Sequence, residues 1–210
     1  MRDIKLKICG MREGENILQV AAAGPDLMGF VFYGQSPRYV GPRFRLPDAF
    51  PNPIQKVGVF VNATAQHIVD VVLRHRLDYA QLHGDESPGC CRALKEEGIK
   101  VIKAFSVDDG FDFEQVNPYQ ENVDYVLFDT RGAGRGGNGV PFDWTLLEKY
   151  KGNVPFFLSG GISPGNIGRV RGLRHNLLFA IDVNSGIENS PGTKDMAKLN
   201  ELISNFNDSI

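Results

Sequence analysis

Short runs of apolar residues recur along the whole chain and are separated by longer mixed segments. Several runs hold Val, Ile or Phe at consecutive positions rather than at every second one. Such runs are typical of parallel strands that are covered on both faces. They predict eight strands, over residues 4–8, 27–32, 57–61, 79–82, 101–105, 125–128, 155–158 and 178–183.

Several of the intervening segments carry the spacing of an amphipathic helix. Ile17, Val20 and Ala21 follow the i, i+3, i+4 pattern, and the segment 199–206 extends the same stripe to i+7. A strand followed by a helix therefore repeats about every 26 residues, which is enough for both elements and two short loops. This arithmetic predicts an α/β fold, a single (β/α)8 TIM barrel near the small end of its usual range.

A doubly wound open sheet is the alternative architecture. It usually begins with a glycine-rich dinucleotide loop after its first strand. Here the first turn reads Cys9-Gly10-Met11-Arg12, without that fingerprint. The barrel is therefore the preferred prediction.

The interval between the second and third strands departs from the repeat. Pro42, Pro47, Pro51 and Pro53 leave little room for an unbroken helix. A proline inside a helix costs about 3 kcal/mol. We therefore expect a reduced second helix of a turn or two.

Length and charge exclude several functional classes. A chain of 210 residues predicts a single domain over residues 1–210. Lysine and arginine number 23 against 25 aspartates and glutamates, a formal net charge of −2. No segment concentrates positive charge or reaches the roughly 18 apolar residues of a spanning helix. We expect no nucleic-acid or membrane partner, and a cytoplasmic location. Three cysteines at these spacings predict neither a disulfide framework nor a zinc site.

Polar residues follow several of the predicted strands at once. In a (β/α) barrel, the active site lies at the carboxyl ends of the strands. Cys9 follows the first strand, His83 the fourth and Asp129 the sixth, while Asp182 lies within the last. His83 is a candidate substrate contact by this position.

Cys9 could be a nucleophile, a general base or an inert buried thiol. An ordinary thiol with a pKa near 8.5 is only roughly 3% ionised at pH 7, so a catalytic role needs help from a cation or a helix N-terminus. Lys7, two residues earlier, shares its face of the strand, and the first helix begins just beyond. Lys7 and Asp182, on strands that are neighbours in a closed barrel, are also expected to form a buried pair.

Glycines after the seventh and eighth strands favour a phosphate site, because glycine lets backbone N–H groups approach an anion closely. The candidate residues are Gly160, Gly161, Asn184, Ser185 and Gly186. The glycine-rich segment 132–139, after Asp129, is a second anion cradle or a lid that closes over the site.

Taken together and in order, these motifs resemble the phosphoribosylanthranilate isomerase family of tryptophan biosynthesis. The resemblance covers nearly the whole chain. It rests on Lys7-Ile8-Cys9-Gly10-Met11, Ser36-Pro37-Arg38, Val57-Gly58-Val59-Phe60-Val61-Asn62, Gln81-Leu82-His83-Gly84-Asp85-Glu86, Leu127-Phe128-Asp129, Gly136-Gly137-Asn138-Gly139, Phe142-Asp143-Trp144, Ser159-Gly160-Gly161, Asp182-Val183-Asn184-Ser185-Gly186-Ile187-Glu188, Pro191-Gly192 and Lys194-Asp195.

The resemblance implies an Amadori rearrangement of a small-molecule substrate, phosphoribosylanthranilate, without a metal or an organic cofactor. It implies that Asp129 acts as the general acid and Cys9 as the general base. The acid role requires a protonated Asp129, although a free aspartic acid has a pKa of about 3.9. Arg38 would bind the anthranilate carboxylate with its planar fork. A monomer or a homodimer is expected.

The same resemblance assigns the 5′-phosphate to the glycine loops after the sixth, seventh and eighth strands. It adds Gly137, Asn138 and Gly139 to the phosphate-binding candidates. Asn138 and Asn184 stand where the family more often has other residues, and either side chain can still donate to phosphate.

Other phosphate-binding barrels are less consistent with these residues. An indoleglycerol-phosphate synthase uses lysines at the strand ends, and a ribulose-phosphate epimerase needs a His/Asp metal set. The histidine-pathway isomerase uses paired aspartates, whereas this chain has Cys9 in the first position. A barrel that only binds phosphate, without catalysis, is the alternative from a different functional class.

Overall fold

Eight parallel strands close into a barrel in chain order, as predicted. The computed structural model describes residues 4–130, 142–173 and 175–207. The strands are β1 Lys5–Ile8, β2 Leu27–Val31, β3 Gln55–Phe60, β4 Tyr79–Leu82, β5 Lys100–Val107, β6 Tyr125–Thr130, β7 Phe156–Leu158 and β8 Leu178–Val183. The first and last strands pair in register, with Lys7 opposite Asp182, and this pairing closes the barrel.

The helices outside the barrel are less regular than the expected repeat. The α-helices are α1 Gly14–Ala22, α2 Ala65–His75, α3 Pro88–Glu96 and α4 Met196–Asn207. After β5, β6 and β7 the described connections contain 3₁₀ helices instead, and a further one follows β8; these are Phe113–Tyr119, Trp144–Lys149, Ile167–Gly172 and Ser185–Ile187. A short antiparallel pair, β9 Glu188–Ser190 and β10 Thr193–Lys194, precedes α4.

The proline-rich interval contains turns and no helix between β2 and β3. The prediction that no full helix fits here is confirmed, but the expected turn or two of helix is not formed either, because the prolines leave only turns. Aromatic side chains do the packing that a helix would do: the ring of Phe44 lies 5.3 Å and that of Phe50 lies 6.3 Å from the ring of Phe30 on β2.

The barrel interior is divided into an apolar layer and a polar layer. The apolar layer is a cluster formed by Leu27, Val57, Tyr79, Ile102, Ala104, Leu127, Phe157 and Ala180. Closer to the carboxyl ends of the strands, the buried interior side chains include Lys7, Gln81 and Asp182. A second, larger apolar core fills the space between the strands and the outer helices. Within the described ranges, no helix is both long and apolar enough to span a bilayer.

Candidate active site

A cavity of about 350 Å³ lies at the carboxyl ends of the strands. It brings together side chains and loops from both halves of the chain. The predicted site residues that line it are Cys9, Arg38, His83, Asp129, Gly160, Gly161, Asp182, Asn184, Ser185 and Gly186. Lys7 lies fully buried next to this lining.

Cys9 follows β1 directly, and its side chain points into the barrel. Its backbone N–H donates to Val183 O at 2.8 Å, which continues the β1–β8 pairing. The thiol rests on Gly29 of β2: a Cβ atom at residue 29 would stand 2.5 Å from Cys9 Sγ. A glycine at this position therefore makes the space that the thiol occupies.

Lys7 and Asp182 form the expected buried ion pair, with Nζ and Oδ1 2.8 Å apart. The ammonium also donates to Gln81 Oε1 at 2.8 Å. Burial works to lower the pKa of Lys7, but the charge of Asp182, helped by the neighbouring Cys9 and by the hydrogen bond to Asp182, outweighs burial and raises the pKa. Lys7 is therefore a fixed cation at the centre of the polar layer.

The Cys9 thiol has the cationic neighbour that the sequence indicates, Lys7, yet its pKa is raised. Burial is the largest cause, and it outweighs the opposing effects of Lys7 and Lys194. Asp182 adds to the increase. The cations thus reduce the cost of a thiolate without making it the resting form of the free protein.

A line of short polar contacts runs from Lys7 to Asp129 across the polar layer. Gln81 Nε2 lies 2.9 Å from His83 Nδ1, and His83 Nε2 lies 3.2 Å from Asp129 Oδ2. Gln81 is 1% exposed, so both partners of its amide are protein atoms. The second oxygen of Asp182 accepts from Ser159 Oγ at 3.4 Å.

Arg38 is held by Glu188, which follows β8. The guanidinium donates to the two carboxylate oxygens through Nε, at 3.0 and 3.2 Å, and through Nη2, at 2.6 Å. Glu188 also accepts from buried Lys194 at 2.7 Å, and Lys194 donates to Asn184 Oδ1 at 2.8 Å. Burial would raise the pKa of Glu188, but Arg38 and Lys194 outweigh burial and lower it.

The loop after β7 requires glycine at its second position, residue 160. Gly160 has a φ of +92°, and a Cβ there would meet the Thr130 side chain and backbone N–H. The backbone N–H groups of Gly160 and Gly161 make no hydrogen bond to another described residue. Since both glycines line the cavity, these donors are available to an anion.

The sequence matches one family of known proteins over nearly its whole length. A family model for N-(5'phosphoribosyl)anthranilate (PRA) isomerase matches residues 6–205. The chain belongs to this isomerase family. An N-(5'-phosphoribosyl)anthranilate isomerase from Parabacteroides distasonis is 47% identical over 94% of this chain and 91% of its own length.

Solved structures of phosphoribosyl anthranilate isomerases share the barrel. The Thermotoga maritima enzyme is 35% identical, with a TM-score of 0.84 over 98% of this chain and 99% of that one. Another, at 34% identity and a TM-score of 0.81 over 98% and 99%, was crystallised with reduced 1-(o-carboxyphenylamino)-1-deoxyribulose 5-phosphate. The chain is thus an isomerase of the phosphoribosylanthranilate type, in tryptophan biosynthesis, on a (β/α)8 barrel.

Some predictions for this isomerase lie outside the described residues. They are Gly137, Asn138 and Gly139 as phosphate ligands, and segment 132–139 as a lid. Among the residues that are described, no group of three or more His, Cys, Asp or Glu side chains could hold a metal ion.

Sequence reasoning missed three residues of the site: Gln81, Glu188 and Lys194. Each belongs to a motif that carries the family resemblance, but Gln81 and Glu188 make their contacts with distant segments, and Lys194 joins the site through Glu188 and Asn184. Gln81 meets Lys7 across 74 residues and Glu188 meets Arg38 across 150. Only the closed barrel brings these segments together.

Proposed function

We propose that this chain converts N-(5'-phosphoribosyl)anthranilate into the 1-deoxyribulose phosphate by an Amadori rearrangement, with Asp129 as general acid and Cys9 as general base. The observation that carries the proposal is the single cavity that both side chains line, together with Arg38 and the two glycine loops. A volume of about 350 Å³ is within the range of small-molecule sites.

The rearrangement requires one proton to be delivered and one to be removed. Asp129 protonates the furanose ring oxygen, so that the bond from this oxygen to C1 breaks and a Schiff base forms. Cys9 then removes the proton from C2, and the resulting enolamine tautomerises to the ketone. Each of these two roles contributes roughly 10² to 10⁴ in rate.

Burial raises the pKa of Cys9, so the free protein holds a thiol, whereas the proposed base is the thiolate. The active form carries one proton in total, on the carboxyl of Asp129 and not on the thiol. A thiol beside a carboxylate carries the same number of protons. Moving the thiol proton to Asp129 therefore produces the active form without uptake from solvent, and Lys7 stabilises the thiolate that is left.

Arg38 is proposed to bind the anthranilate carboxylate. Glu188 occupies the Nε edge and Nη2 of the guanidinium, so Nη1 and the second N–H of Nη2 remain as donors. A carboxylate can accept from both of these in parallel. The ligand named for the crystallised relative contains a carboxyphenyl group, which supports an anion site of this kind.

The loops after β7 and β8 are proposed to bind the 5′-phosphate. Gly160 and Gly161 supply backbone N–H groups from one loop, and Ser185 and Gly186 extend the cavity lining from the other. Asn184 accepts from Lys194 through Oδ1, which leaves its amide N–H₂ to donate. Gly137, Asn138 and Gly139 remain proposed contributors from the loop after β6.

Turnover can be tested with substrate formed in the cuvette by a phosphoribosyltransferase from anthranilate and phosphoribosyl pyrophosphate. We expect the fluorescence of the phosphoribosylanthranilate to disappear when this protein is added. No acceleration over the uncatalysed decay, with the substrate verified, would remove the enzymatic proposal in favour of a phosphate-binding barrel.

The roles are tested with Cys9→Ser and Asp129→Asn, each of which should lose at least about 10²-fold in kcat. Both should still bind the reduced 1-deoxyribulose phosphate analogue, because neither change touches Arg38 or the glycine loops. Cys90→Ser, at a half-buried thiol on α3, is the matched control and should keep its turnover. Near-normal turnover of either site variant would exclude that residue from the chemistry.

Assembly and location follow as further proposals. The Thermotoga maritima relative is described as dimeric and also as converted to monomers, which supports a monomer or a homodimer here. A single domain over residues 1–210, a cytoplasmic location and the absence of nucleic-acid and membrane partners also remain proposals.

A further inference from the structure

We propose that Gln81 is a positioning residue that holds His83 as the tautomer with its hydrogen on Nε2, so that His83 donates to Asp129. The inference rests on the proposed acid role of Asp129. It comes from the order of donors and acceptors along the line that runs from Lys7 through Gln81 and His83 to Asp129.

The first step fixes the amide of Gln81. A lysine ammonium has donors and no acceptor, so the amide atom that lies 2.8 Å from Lys7 Nζ has to be the oxygen. Lys7 cannot turn away, because its fully buried ammonium is also held by Asp182 Oδ1 at 2.8 Å. The amide nitrogen of Gln81 is therefore the atom that faces His83.

The second step fixes the imidazole of His83. The amide nitrogen of Gln81 is a donor, and it lies 2.9 Å from His83 Nδ1. Nδ1 has to accept, because a hydrogen there would point at the amide hydrogens. A neutral His83 therefore carries its hydrogen on Nε2, 3.2 Å from Asp129 Oδ2.

The third step concerns the carboxyl of Asp129. A hydrogen bond received at Oδ2 orients the carboxyl and leaves Oδ1 to carry the proton that goes to the substrate. If the ring had the other tautomer, Nε2 would be an acceptor and would draw the acidic proton onto Oδ2, away from the substrate. Cys9 and Asp182 are the other titratable groups that line this part of the cavity, and neither is hydrogen bonded to the His83 ring among the described residues.

The tautomer can be read directly from the ¹⁵N chemical shifts of the His83 ring nitrogens, which separate protonated from unprotonated nitrogen. We expect a protonated Nε2 and an unprotonated Nδ1 in the wild-type protein. In Gln81→Glu a carboxylate faces the ring and accepts from Nδ1, so the two nitrogens should exchange their shifts. Gln81→Met, which keeps the length of the side chain but donates nothing, is the control and should show no such exchange.

Turnover provides the second readout. Gln81→Glu should lower kcat about tenfold or more with a smaller effect on KM, because it misplaces one catalytic proton. In a His83→Gln background a side-chain amide donates to Asp129 and has no tautomer to lose. In this background, Gln81→Glu should lower kcat by less than about threefold, since residues 81 and 83 are no longer coupled through a tautomer.

The outcomes distinguish a failure of the tautomer assignment from a failure of the proposed function. A wild-type His83 with its hydrogen on Nδ1 overturns the inference, and so does an equal loss of kcat from Gln81→Glu in both backgrounds, which indicates a purely structural role. If the shifts agree but Asp129→Asn keeps its turnover, the proposed function fails while the tautomer assignment stands.

Discussion

Replacement of Gly29 by alanine displaces the proposed base without changing any group that takes part in the chemistry. The new Cβ would stand 2.5 Å from Cys9 Sγ, and 3.2 and 3.3 Å from the Cα and Cβ atoms of the same residue. Ordinary carbon–sulfur contacts are longer by about 1 Å. The backbone of Cys9 is held by β-pairing to Val183, so the thiol has to move.

The expected loss follows from this displacement. A misplacement of about 1 Å in a catalytic group costs on the order of 10²-fold in rate. This loss corresponds to about 2.7 kcal/mol of transition-state stabilisation. It should fall on kcat, because Arg38 and the loops after β7 and β8 are untouched and continue to bind the two anionic ends of the substrate.

A matched control separates this effect from simple overpacking. Gly58 on β3 has a comparable clash, since a Cβ there would stand 2.6 Å from Leu77 Cδ1, on the outer face of the barrel. Gly29→Ala and Gly58→Ala should each lose about 1 to 3 kcal/mol in the free energy of unfolding. Only Gly29→Ala should lose turnover in the fluorescence assay.

Two results would refute the reasoning. If a folded Gly29→Ala keeps kcat within a factor of about three while a crystal structure shows Sγ displaced, the position of the thiol does not limit the reaction. If Gly58→Ala loses kcat as much as Gly29→Ala, the loss reports general strain in the barrel and not the site.

Two further predictions concern the buried charges. The raised pKa of Cys9 predicts that its thiolate appears only on the alkaline side of the ordinary thiol range, measured as the absorbance at 240 nm of wild type minus Cys9→Ser; a thiolate signal at neutral pH would show that the cations outweigh burial. Asp182→Ala leaves the Lys7 ammonium buried without its partner, so urea denaturation should show a loss of about 3 to 5 kcal/mol, most of it recovered in Lys7→Met/Asp182→Leu. A loss below about 1 kcal/mol would mean that Lys7 is not charged in the folded barrel.

The strands were predictable because a short run of consecutive apolar residues is by itself typical of a parallel strand buried on both faces. Residues 178–183 and 79–82, for example, were predicted with the bounds that the structure has. The outer connections were less predictable. Pro118 lies inside the 3₁₀ helix Phe113–Tyr119, where it limits regular α-helical hydrogen bonding. Short connections often contain 3₁₀ turns, and an apolar stripe alone does not distinguish these from an α-helix.

The site was predictable where strand ends alone identify a residue. Cys9 and His83 directly follow their strands and Asp129 is the last residue but one of β6, so their meeting in one cavity follows from the barrel. Glu188 was not predictable in this way, because it follows a 3₁₀ turn and its partner Arg38 lies in an irregular loop. The direction of the Cys9 pKa shift was also inaccessible, since it depends on how fully the thiol is buried.

The two layers of the barrel interior explain which residues of the site could be predicted from the sequence and which could not. Side chains of a strand point inward at every second residue, so the polar layer stands two residues beyond the apolar one. The pairs are Tyr79 and Gln81, Leu127 and Asp129, Phe157 and Ser159, and Ala180 and Asp182.

The apolar layer stabilises the fold, whereas buried ion pairs contribute little net stability or even reduce it relative to apolar side chains. A buried cation such as Lys7 is therefore better explained by what it positions than by the stability it adds. Gln81 lies two residues beyond Tyr79 of the apolar layer, and its place between Lys7 and His83 follows once the barrel closes.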